Sequence, residues 1–442
     1  MNTIKEVRRQ ETGVRSRENR RAAGAVGLLV GLLWLASCGG GSSTTGGGGG
    51  TTTPVLNTTM VNVDGGPSHL TPAPNMGYVS VTVCNPGSTT SCATIDHVQV
   101  DTGTSGLRIL ASAPGVSALA LKQVTDSNSD PVEECFQFGD GSYLWGPVVQ
   151  GDVSFPPAGE KAGSLPLQII NAPGTGITVP NGCNSGGGLN RGTVEVLQAN
   201  GILGIGRTPQ DCGIACATAP VQPYYWLCPN TGCTTAALPV TTQVSNPVIF
   251  FNSDNNGVMI SMNAVGAAGA GLTTGSLTFG IGTQTDNALG SAQVYALGIW
   301  LSGDYAGAIT IQSTYNGVGY PGLLDTGSPF LLFLDPATAG IPACSGSYSS
   351  LYCPASTTNV TISNQGSGGT AVNTQISIGN AQQLLGSGLV AFSNVAGISG
   401  TGASNDVVEM GMPFFYGRTV FIGIQGQKAP SGVNALAGYY AY

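Results

Sequence analysis

The sequence predicts a mainly β fold, and three observations predict it. Charged residues make up only 8% of the 442, while Gly and Pro number 69 and 26, a surface dressed in Gly, Ser, Thr and Asn rather than Lys and Glu. Short runs of β-branched and aromatic residues alternate with Gly/Pro/Asn/Ser punctuation. Helical periodicity is confined to brief segments such as 381–388 (AQQLLGSG), barely two turns long. The length allows two or three domains of ordinary size, or one large two-lobed enzyme.

From the N-terminus, residues 1–21 are polar and Arg-rich, and 22–36 (AAGAVGLLVGLLWLA) form an apolar run of signal-peptide length, short for a membrane span. The run ends in Leu35-Ala36-Ser37-Cys38, which resembles a bacterial lipobox. Residues 1–37 are therefore expected to be a lipoprotein signal and Cys38 the lipidated mature N-terminus; an ordinary cleaved signal with an incidental Cys is the plainer alternative. A Gly/Ser/Thr tether over 38–56 follows, as a lipid anchor requires. Gly39, rather than Asp, after the Cys points to the outer membrane of the bacterial envelope.

Seven of the 14 basic residues precede position 38. From residue 39 onward seven basic residues face 19 acidic ones, a balance of −12, so nucleic acid is excluded as a partner. The only histidines are His69 and His97, which excludes a His-rich metal site and leaves almost no material for a Ser/His/Asp triad. Ten cysteines remain without Cys38, an even number in an exported chain, and a disulfide framework is expected. Cys84 and Cys92, Cys228 and Cys233, and Cys344 and Cys353 flank short loops; Cys135, Cys183, Cys212 and Cys216 stay unassigned.

Strands are expected at 77–84, 97–103, 246–252, 257–262 and 418–424. Within this pattern lies an internal echo. Val98-Gln99-Val100-Asp101-Thr102-Gly103-Thr104-Ser105 is answered 224 residues later by Gly322-Leu323-Leu324-Asp325-Thr326-Gly327-Ser328-Pro329. Each is an apolar strand running into Asp-Thr-Gly and a hydroxyl residue. One such turn is an ordinary strand end; two invite the question of what two carboxylates would do together. Like charges at contact raise one pKa, and the pair then shares a proton. The ionised member can take a proton from water while the protonated member polarises a carbonyl, which is hydrolysis without a covalent intermediate.

The chain here resembles the pepsin-like aspartic endopeptidases over nearly all of 77–425. Beyond the paired Asp-Thr-Gly loops, Phe138-Gly139-Asp140-Gly141-Ser142 and the following VVQGDVSF resemble the flap hairpin that closes over substrate. Asn200 to Gly206 and Val407 to Phe415 are similar to the strands that thread behind the two acid loops. The resemblance implies two β-rich lobes, expected at 57–245 and 246–442, with a cleft between them, a monomer, a polypeptide substrate and no cofactor or metal. By it Asp101 and Asp325 are the catalytic dyad, Thr102 and Thr326 brace the two loops, Gly103 and Gly327 form their turns, and Thr104 and Ser328 bond the outer carboxylate oxygens. Membrane contact is expected through the lipid anchor alone. The inhibitory basic segment common in the family is not expected, since no Lys or Arg lies between Cys38 and Arg108.

Three positions depart from the pattern. Phe138 stands where the family has a flap Tyr; Tyr143 nearby either substitutes for it or is an exposed hairpin residue, and the second is expected. Arg108 stands in place of a Trp, and a cation there would favour ionised carboxylates. Pro329 replaces a hydroxyl residue and stiffens its loop. An envelope-anchored endopeptidase, a pepsin-fold binding lipoprotein without proteolysis and a β-rich surface adhesin all remain open readings.

Overall fold

The computed structural model describes residues 56–172, 178–184, 187–300, 307–399, 406–429, 433 and 436–442. The signal segment, Cys38 and the tether up to residue 55 lie outside the described residues. The described residues are mainly β, with 40% in strands and 9% in helices. Its strands form a 16-stranded and an 8-stranded sheet.

The larger sheet crosses the expected boundary at 245/246. Thr58–Val63 pairs antiparallel along its whole length with Thr273–Phe279, and through Asn62 and Tyr78 it also touches Tyr78–Cys84. Its sequence TTMVNV alternates as a half-buried strand must, with Thr59, Val61 and Val63 turned inward. Thr273–Phe279 continues through Gly257–Met262 to Thr419–Gly423. Phe155, Phe251 and Phe279 pack ring against ring at 5.0–5.8 Å where the two halves of the sequence meet.

Each half also contains the same strand arrangement. In the first, Gly201–Ile205 lies parallel to Cys92–Asp101 and antiparallel to Ser105–Leu110, so it is threaded between the strands on either side of the first Asp-Thr-Gly turn. In the second, Val408–Met410 lies parallel to Val318–Leu324 and antiparallel to Leu331–Phe333. The central strands are buried throughout, Gly201–Ile205 as an unbroken apolar run and Val408–Met410 with Glu409 among its apolar neighbours.

The strand expected at 246–252 is instead a 3-10 turn over Pro247–Phe250. Pro247 has no N–H for a ladder, and the Asn246 side chain accepts a hydrogen bond from Val248 N at 3.1 Å, which starts a helical turn. The helical segment near 381 is present as Ala381–Leu385, capped by Asn380 accepting from Gln383 N. All three flanking cysteine pairs are bonded, and the unassigned four pair as Cys135–Cys183 and Cys212–Cys216. Among the described residues no helix is long and apolar enough to cross a membrane.

Candidate active site

Because the threaded strands hold both sides of each Asp-Thr-Gly turn, the turns cannot shift independently of the sheets. They meet face to face. Thr102 N donates to Thr326 Oγ1 at 3.2 Å, and Thr326 N donates to Thr102 Oγ1 at 3.0 Å. Each hydroxyl in turn donates across to the opposite strand, Thr102 Oγ1 to Leu324 O at 3.0 Å and Thr326 Oγ1 to Val100 O at 2.7 Å. All four bonds are buried, where an unpartnered backbone group is costly. Gln99 adds a fifth link, its Nε2 donating to Gly327 O at 3.0 Å.

This bracing brings Asp101 and Asp325 together. Gly103 N donates to Oδ1 of Asp101 at 2.8 Å and to Oδ1 of Asp325 at 3.0 Å, so one amide serves both acids. Gly327 N donates to Asp325 Oδ1 at 2.7 Å. The outer oxygens are held by hydroxyls, Thr104 Oγ1 to Asp101 Oδ2 at 2.7 Å and Ser328 Oγ to Asp325 Oδ2 at 3.0 Å. Glycine at 103 and 327 is a matter of space. A Cβ at Gly103 would lie 2.6 Å from Cγ of Asp325, and one at Gly327 2.7 Å from Cγ of Asp101. Any side chain there would push the acids apart.

Burial and the neighbouring Asp325 carboxyl push Asp101 up to about 8. Burial raises Asp325 as well, against the amide and hydroxyl bonds that favour its ionised form. The two therefore titrate as a pair that holds a proton well above the ordinary carboxylate range. Such a pair offers an acid and a base at adjacent oxygens.

The acids line a cavity of about 330 Å³, the size of a small ligand site. Its apolar wall includes Phe136, Phe138, Ile202 and Leu332. Phe138 opens a hairpin turn between Val132–Gln137 and Tyr143–Ser154, closed by Phe138 N donating to Ser142 O at 2.7 Å. Gly139 and Gly141 shape that turn without lining the cavity. Asp140 accepts from Ser142 N at 2.8 Å and from Arg191 Nη2 at 2.8 Å. Although burial opposes its ionisation, the Ser142 hydroxyl and Arg191 hold the Asp140 carboxyl below its usual range. Arg191 also lies 4.9 Å over the Phe138 ring, so the hairpin tip is fastened from beneath.

Two expectations are corrected. Arg108 does not act on the acid pair: fully buried, it donates through Nη2 to Glu134 Oε1 at 2.5 Å and Asp211 Oδ2 at 3.1 Å, and through Nη1 to Ser105 O at 3.0 Å. Glu134 and Asp211 take up its donors, and Phe136 covers its face at 3.9 Å. Tyr143 is not exposed; it packs with Trp145, Trp226 and the Cys135–Cys183 disulfide, away from the cavity.

One residue of the site was not anticipated. Glu409 lies 2% exposed in the cavity wall, and the Ser328 hydroxyl that bonds Asp325 also bonds Glu409 Oε1. The signal was a lone acid inside the apolar run VVEMGMPFF. Among the described residues no His/Cys/Asp/Glu group has a metal-binding arrangement. No curated protein matches the sequence. The profile of the family described as "Protein of unknown function (DUF3443)" matches residues 53–442, nearly the whole chain, and the chain belongs to that family.

Proposed function

We propose that the chain is an aspartic-type endopeptidase of bilobal, pepsin-like architecture that hydrolyses peptide bonds through Asp101 and Asp325. The reciprocal Thr102–Thr326 bonding supports this reading most strongly, because it holds two buried carboxyls at one shared amide, Gly103 N, where burial makes them share a proton. In the proposed reaction the ionised member takes a proton from a water held between the acids. The protonated member donates to the substrate carbonyl, and the tetrahedral adduct collapses with a proton passed to the leaving amine. The flap-like hairpin, with Phe138 over the cavity, is proposed to cover a bound peptide, and its apolar wall to favour apolar side chains beside the cut bond.

The leader sequence supports attachment of this enzyme to the bacterial envelope through Cys38. Phe138 favours a second reading, a peptide-binding lipoprotein, since its ring has no hydroxyl to bond a substrate backbone. Incubating the full chain with an unfolded protein across about pH 3 to 7, with and without a statine-type inhibitor, separates the two. Cleavage that the inhibitor stops supports the endopeptidase; peptide binding without cleavage supports the lipoprotein.

A further inference from the structure

Glu409 is bonded to the acid loops by a route with no counterpart in the first half of the chain. The strand registers of the two halves correspond residue by residue. Val100 and Asp101 stand opposite Leu203 and Gly204. Leu324 stands opposite Met410, and Asp325 N donates to Met410 O at 3.1 Å. Glu409 thus occupies the place that Ile202 holds in the first half. Where one half presents an aliphatic side chain to the cavity, the other presents a carboxyl.

Counting hydrogens decides what this carboxyl carries. Ser328 Oγ lies 3.0 Å from Asp325 Oδ2 and is also within hydrogen-bond contact of Glu409 Oε1. A hydroxyl has one hydrogen to donate. It can satisfy one carboxylate, so the bond to the other needs a proton on that carboxyl. The row Glu409–Ser328–Asp325 therefore holds one proton beyond the hydroxyl's own. Either Glu409 is protonated and Ser328 donates to Asp325, or Asp325 is protonated and Ser328 donates to Glu409. The two states differ by a shift of two hydrogens with no heavy atom displaced.

Resting on the hydrolase reading above, we propose that Glu409 is a positioning residue that stores a proton and passes it through Ser328 Oγ to Asp325. In the state with Glu409 protonated, when Asp325 gives up the separate proton that the acid pair shares, the Ser328 hydrogen moves to Asp325 Oδ2 and the Glu409 proton moves to Ser328 Oγ. Glu409 is left ionised until it takes a proton from the cavity it lines. The charged groups facing Glu409 are Asp325 and Asp101, and its strand neighbours Leu323 and Leu332 carry none. Arg191, bound to Asp140 and Ser142, with Arg207 and Asp211, completes the charged lining of the cavity. Burial first, and Asp325 second, hold Glu409 well above the usual carboxylate range, in keeping with a stored proton.

Carbon-13 NMR of the side-chain carboxyls of the full chain, titrated from about pH 3 to 9, reads this without any need for turnover. Glu409→Gln assigns the resonance. The expected result is a Glu409 that stays protonated beyond the ordinary range and titrates in step with Asp325, the coupling being lost in Ser328→Ala. A Glu409 that titrates like an exposed carboxylate, or curves that Ser328→Ala leaves unchanged, would overturn the relay. In hydrolysis, Glu409→Gln keeps a donor for Ser328 but can release no proton and repel no charge. Its alkaline limb should move to lower pH, because no charge at position 409 then helps the acid pair keep its proton. An unmoved limb also overturns the relay. Coupled titration without hydrolysis at any pH would leave the relay standing and remove the endopeptidase reading instead.

Discussion

Replacing Thr102 by Val removes one hydroxyl and keeps the side chain's shape. Thr102 is 2% exposed, and its Oγ1 both accepts from Thr326 N and donates to Leu324 O, each at 3.0 Å. Valine would leave these two backbone groups of the opposite loop buried without that partner. Each loss costs about 1–3 kcal/mol, so the variant should be less stable by about 2–6 kcal/mol. Thr102→Ser keeps both bonds and loses one methyl, a cost of about 1 kcal/mol. Urea unfolding midpoints of the full chain compare the three. Thr326→Val should behave alike, and the double variant should lose less than the two single losses combined, because both hydroxyls serve one brace. A Val variant within about 0.5 kcal/mol of wild type, or a Ser variant as weak as Val, would refute the claim that these hydroxyls hold the loops together.

Stability should fall as pH rises. Asp101 moves from 3.8 to about 8 on folding, so the folded chain binds its proton more tightly; the resulting stability is complete below about pH 4 and lost as pH climbs through about 8, readable from thermal unfolding across that window. Breaking Cys135–Cys183, which spans 48 residues, by the double Ser substitution should cost about 4 kcal/mol by loop-closure entropy. Alkylation of the folded chain without reduction should find no free thiol from Cys84 to Cys353, and several modified cysteines would contradict the framework. Cys38→Ser should move the protein from the membrane fraction to the soluble one, and an unchanged distribution would remove the lipid anchor.

The elements visible in the sequence were those whose cause is local. Gly257–Met262 is the expected strand to the residue, because GVMISM alternates and is bounded by turn formers. The paired Asp-Thr-Gly loops were visible because each carries its own strand, turn and hydroxyl residue. The stretch 246–252 misled, since the apolar run VIFF suggests a strand while Pro247 and the Asn246 cap decide otherwise. What depended on distant partners was hidden. Nothing near Arg108 in sequence announces Glu134 and Asp211, 26 and 103 residues away, yet they turn a cation expected at the acid pair into an ion-paired core residue. The pairing of Thr58–Val63 with Thr273–Phe279 was invisible for the same reason. Glu409 stood in plain view, but its meaning required Ser328 beside it.

The most direct test of the central claim is hydrolysis of an unfolded protein at acid pH by the full chain, compared with Asp101→Asn, Asp325→Asn and the double variant. One carboxyl cannot act as both acid and base, so each single change should remove turnover while leaving the fold intact by circular dichroism. The double variant should be no worse than either, because the pair acts as one unit. Wild-type cleavage that falls toward neutrality and vanishes in each variant is the predicted result. Single variants that keep more than a few per cent of wild-type turnover, or a folded wild-type chain that cleaves nothing at any pH, would contradict it.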